Sequence, residues 1–106
     1  MLPCRLVLFF ARVRELAPQW QWTFRLCTTA GDRPWAENEI LQHGWPSDPI
    51  YGLDVTVLCP VPHGCFIAYR RVNHQRAARF FATEARQLVD DIAAEFAPRI
   101  KPYLPN

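Results

Sequence analysis

The sequence predicts a two-layer α+β domain: an antiparallel sheet of three or four strands covered on one face by a long C-terminal helix. Three observations predict it. Trp20, Trp22, Phe24 and Leu26 alternate with Gln21, Thr23, Arg25 and Cys27, the period of two of a strand with one buried face. Leu53, Val55 and Val57 alternate with Asp54 and Thr56, and a second β-prone run, 65–71, follows across Pro60-Val61-Pro62-His63-Gly64. Proline and glycine break the ladder there and permit a reversal, so 50–59 and 65–71 form a hairpin. Ala77, Phe81, Ala85, Leu88, Ile92 and Phe96 then fall in one helical stripe that fits over an apolar sheet face.

The remaining elements follow along the chain. Residues 4–13 carry two signals. Leu6-Val7-Leu8-Phe9-Phe10 is β-prone and suits a strand paired with 20–27, giving the order ββαββα. Leu6, Phe9, Phe10, Val13, Leu16 and Ala17 also share one helical face, which gives αβ(α)ββα instead. The strand is the favoured reading. The helical order is similar to that of double-stranded-RNA-binding domains, none of whose sequence motifs is present. Residues 34–43 read as a short helix with Pro34 at its first position, Glu37 near its N-terminal end and Gly44 as its stop. Residues 44–49 form a rigid exposed connection. Asn73 caps the long helix, and Pro98 ends it at or before Ala97. Residues 1–97 make a single domain, and 98–106 make an extended Pro-rich tail.

Composition narrows the function classes. The chain has 106 residues, half of them apolar, with four Trp and seven Phe, which excludes disorder. The net charge of +2 does not by itself call for a polyanion partner. Charge is segregated: +3 over residues 1–30, −4 over 31–69 and +3 over 70–106. The apolar run Leu6–Ala11 is shorter than a signal-peptide core and is followed at once by Arg12 and Arg14. No stretch approaches the roughly 20 apolar residues of a membrane span. A cytoplasmic protein is expected.

Candidate chemistry is thin. Cys59, His63 and Cys65 surround one turn and are weak candidates for metal ligands, with a fourth available from His43, His74, Cys27 or Cys4; their spacing is not that of paired C-x2-C zinc elements. No phosphate loop, H-E-x-x-H or nucleophile motif is present. Neither a cofactor nor enzymatic activity is expected. The row Trp20, Trp22, Phe24 reads as core, because exposing it would forfeit several kcal/mol of burial. Trp35, Trp45 and Tyr103 stand beside loops and in the tail, where aromatics serve as interface anchors. Arg70, Arg71, Arg76 and Arg79 concentrate positive charge where the last strand meets the long helix.

These residues point to a small non-enzymatic protein-binding module. Its partner would be a protein, or a protein–nucleic-acid complex, with an anionic surface. Its size and lack of motifs suit an inhibitor of a host complex encoded by a phage or mobile element, an anti-CRISPR-like anti-defence role being one example. The alternative is a nucleic-acid-binding domain that uses the Arg-rich start of the long helix.

Overall fold

The computed structural model describes residues 2–29 and 34–104, with side chains from Arg5 onward among the first. Asp32 and Arg33 of the acidic middle, and the end of the tail, lie outside the described residues. The elements in order are α1 (Leu2–Leu16), β1 (Gln21–Thr28), β2 (Trp35–Ala36), α2 (Glu37–His43), β3 (Ile50–Val61), β4 (Gly64–Val72), α3 (His74–Arg79), α4 (Phe81–Ile100) and a 3-10 turn (Lys101–Tyr103). The four strands form one antiparallel sheet in the order β2-β1-β3-β4. It is an α+β fold in which α1, α3 and α4 pack together and cover one face of the sheet.

Residues 4–13 are helical, which corrects the expected N-terminal strand and its pairing with β1. A strand covered on both faces would bury Val7 and Leu8, yet both are exposed. Leu6, Phe9, Phe10, Val13 and Ala17 are all buried, so helical periodicity overrides local β-propensity. Phe10 stacks on Phe24 at 4.3 Å, and Phe9 meets the same ring edge-on at 6.1 Å. From there an aromatic line runs through Trp22 and Trp20 to Phe96 on α4. The indole N–H of Trp22 donates to the Ala17 carbonyl at 3.1 Å, so its polar end is satisfied inside the core.

Three boundaries also differ from expectation. Trp35 and Ala36 pair with Leu26 and Arg25 instead of opening the short helix, which starts at Glu37. The long helix is two helices. At Phe80 the backbone (φ −121°, ψ 40°) leaves the α region and divides the helix, and both α3 and α4 pack against α1. Pro98 lies inside α4, which continues to Ile100. Proline there removes only the amide that would have bonded to exposed Ala94, and Ile100 still packs against the core. The tail therefore begins in a 3-10 turn, not as an extended segment. Asn73 does cap α3, its side-chain oxygen accepting the Arg76 N–H at 3.0 Å.

One ion pair fixes α2 beside the helical layer. Arg14 on α1 grips Glu37 in a two-point pair at 2.6 and 2.8 Å, and its guanidinium lies 5.1 Å from the Phe24 ring centroid. That bond to Glu37 holds the Arg14 pKa above its ordinary value.

Candidate functional site: the open face of the sheet

Alternation along each strand divides the sheet into two faces. Trp22, Phe24 and Leu26 on β1 lie opposite Val57, Val55 and Leu53 on β3, and this face is covered by helices. The other face carries Thr23, Arg25 and Cys27, then Asp54, Thr56 and Leu58, then Cys65, Ile67, Tyr69 and Arg71. It holds large apolar side chains in the open. Ile67 is 55% exposed, Tyr69 50% and Tyr51 58%.

Asp54 organises this face. Its carboxylate accepts from Arg71 at 2.6 and 3.0 Å, from the Tyr69 hydroxyl at 2.8 Å and from the Cys27 thiol at 3.3 Å. The register sets Asp54 directly opposite Arg71 on β4 and Arg25 on β1. Gly52 allows the approach: a Cβ there would stand 3.2 Å from Cδ of Arg71, in the path of the arginine side chain. A register shift opposite Cys27 and Thr28 makes Tyr51 the extra residue of β3. Its ring lies on the open side, with the Arg71 guanidinium 5.5 Å from its centroid.

The titration of these groups follows from the contacts. The Arg71 hydrogen bonds hold the Asp54 carboxyl below the usual carboxylate range. Arg71 is raised chiefly by the same bonds, and Tyr69 is raised by its bond to Asp54. Burial pushes the Cys27 thiol up, and its bond to Asp54 pushes it further. Cys27 is thus held as a hydrogen-bonded thiol, the protonation state opposite to that of a nucleophilic cysteine. The arrangement is an aromatic rim around a charged, internally satisfied centre.

The residues singled out from the sequence do not gather into one patch. Trp35 and Trp45 are half-buried against the core, Trp35 in the two-residue strand at one edge of the sheet. Tyr103 is exposed, its ring 6.2 Å from Phe66 near the β3–β4 turn. Arg70 and Arg76 do converge, around a cavity of about 270 Å³ where β4 meets α3 and α4, whereas the Arg71 guanidinium, on a residue that also lines the cavity, lies on the open face. Each is engaged there or beside it: Arg70 with Asp91 (2.8 Å) and Glu95 (2.6 Å), Arg71 with Asp54, and Arg76 with Glu84 (2.5 Å). Arg79 lies over the Phe80 ring at 5.2 Å. Four arginines thus stand among four carboxylates, and the corner presents little net charge. Cys59 is buried on the covered face, whereas Cys65 and His63 are exposed at the turn. Among the described residues, no three His, Cys, Asp or Glu side chains are grouped as metal ligands.

Tyr51, Asp54, Ile67 and Tyr69 are not among the site residues expected from the sequence. A signal was present: once Leu53, Val55 and Val57 are assigned inward, Asp54 and Thr56 must face out, as must Ile67 and Tyr69 across the hairpin. No helix among the described residues is long and apolar enough to cross a membrane. Compared with known proteins, the chain matches no family model, no curated protein and no solved structure.

Proposed function

We propose that the chain is a non-enzymatic protein-binding module and that its binding surface is the open face of the sheet, centred on Tyr51, Ile67, Tyr69 and Arg71. One observation carries the reading: three large, half-exposed apolar side chains ring a carboxylate–guanidinium pair that is already fixed. Tyrosine and arginine are the residue types that concentrate energy at interfaces, and prior ordering lowers the entropy cost of binding. Arg25, exposed on the same face and without a carboxylate partner among the described residues, adds positive charge. An acidic patch on the partner complements it.

Inhibition of a host complex is one use of such a module, and it rests on the size and motif-poor character of the chain alone. The nucleic-acid alternative loses support from the corner, because Arg70, Arg71 and Arg76 are already held by carboxylates. The test is affinity capture from a bacterial lysate with three baits: wild type, Tyr51→Asp, and Arg76→Glu/Arg79→Glu. A protein partner should be lost with Tyr51→Asp and kept with the double variant. Loss with the double variant alone, or capture of nucleic acid with a steep salt dependence, contradicts the reading.

A further inference from the structure

The strand β4 is one edge of the sheet, and the opposite edge is the two-residue β2. Its register with β3 runs unbroken from Val61↔Gly64 to Leu53↔Val72. The two-residue turn at Pro62-His63 makes Val61–Gly64 the hydrogen-bonded closing pair. By alternation, Phe66, Ala68, Arg70 and Val72 also turn their backbone groups to β3. Those of Cys65, Ile67, Tyr69 and Arg71 point outward. The Tyr69 carbonyl accepts from the Arg70 guanidinium at 2.8 Å, in agreement with that direction. Proteins commonly guard a long edge with proline, charged side chains, a bulge or an inward-pointing charge. This edge has no proline or bulge, and its two charges are already paired within the chain, Arg70 with Asp91 and Glu95 and Arg71 with Asp54.

We propose that β4 pairs with β4 of a second copy of this chain, antiparallel, about a two-fold axis at Ala68. The outward backbone groups all belong to odd-numbered residues, so symmetric pairing must match odd with odd. The axis at Ala68, the midpoint of the strand, uses all four: Ile67 with Tyr69 of the second copy, Cys65 with its Arg71, and the reciprocal pairs. Ile67 and Tyr69 from both copies then form a four-residue apolar cluster on the open face. On the covered side Phe66 meets Arg70 of the second copy, a cation–π pairing. Every arginine faces an uncharged residue, whereas an axis at Arg70 would set the two Arg70 side chains against each other. The Tyr69 carbonyl has a second lone pair for the incoming amide while it keeps Arg70. With β2 too short to receive β4, association closes at two copies and does not propagate.

This inference shares Ile67, Tyr69 and Arg71 with the surface proposed above, but it needs no other protein and is tested on the purified chain. Sedimentation velocity of the wild type should show a reversible monomer–dimer equilibrium. The Ile67 amide points away from β3, so Ile67→Pro leaves the β3–β4 ladder intact. It should raise the dimer dissociation constant at least tenfold with an unchanged far-UV spectrum. Cys65 is exposed, whereas Cys27 and Cys59 are buried, so a spin label can be placed on Cys65 in a Cys4→Ser background. The axis at Ala68 separates the two labelled positions by six residues of strand, about 20 Å. A wild type that stays monomeric to millimolar concentration, an Ile67→Pro dimer as tight as the wild type, or a label separation above roughly 35 Å would overturn the proposal. If Ile67→Pro unfolds, the label separation in the otherwise unaltered dimer decides alone.

Discussion

Arg71 crosses the flat backbone at Gly52 to reach Asp54, its Nε 2.6 Å from Oδ1 and its terminal nitrogen 3.0 Å from Oδ2. The pair joins β3 to β4 on the side that no helix covers. It also lends rigidity to the aromatic rim, because Tyr69 donates to the same carboxylate and Tyr51 lies under the same guanidinium. The shape of the open face is therefore set by contacts within the chain.

Asp54 should contribute an acid-sensitive share of stability. Its folded pKa lies below the unfolded value, chiefly through Arg71, so its contribution is complete above the unfolded carboxyl value of about 3.9. The contribution is lost as pH falls through the folded value, because the unfolded chain takes up the proton first. Asp54→Asn should lower Tm at pH 7 by an amount corresponding to about 1 kcal/mol, the scale of a partly exposed hydrogen-bonded pair. The difference from the wild type should shrink as pH falls below the unfolded carboxyl value and on through the lowered folded one. Thermal melts across pH 2–7 check this, and a constant difference over that range contradicts it.

Trp22→Ala should cost about 3–5 kcal/mol, as removal of a large aromatic side chain from a core does. Trp22 is buried, its ring is parallel to Phe24 within 5° and its N–H is bonded to Ala17. Chemical denaturation with tryptophan fluorescence or far-UV detection measures the change. A stable variant that has lost only binding would place Trp22 on the surface.

Arg76→Glu/Arg79→Glu should lower Tm slightly. Charge order along the sequence suggests relief of a conflict with the helix dipole, but the fold gives Arg76 a partner in Glu84, eight residues on. Reversing Arg76 exchanges that attraction for repulsion, an effect of up to roughly 1 kcal/mol at an exposed pair. A rise in Tm would mean that the dipole outweighs the pair.

The sheet was legible in the sequence because its signals are local. Alternation over Trp20–Cys27 and over Leu53–Val57, with the proline-flanked turn, required no knowledge of partners. The first helix was harder, since Leu6–Phe10 satisfies both periods and only the exposure of Val7 and Leu8 separates them. The break at Phe80 was not legible: neither proline nor glycine marks it, and it follows from α3 and α4 both packing on α1. The ion pairing of the basic corner was not legible for a related reason. Arg70 lies 21 and 25 residues from the carboxylates that neutralise it, and pairing at that range depends on the fold.

The central claim, that the open face of the sheet is where this protein binds, is tested most directly by hydroxyl-radical footprinting of the chain with and without its captured protein partner, at equal chain concentration. Tyr51 lies on β3, away from the β4 edge, and Tyr103 lies near the β3–β4 turn, so the two report on separate surfaces. Partner binding should protect Tyr51 at least threefold and leave Tyr103 and Trp45 unchanged. Protection of Tyr103 or Trp45 with Tyr51 still reactive would contradict the account.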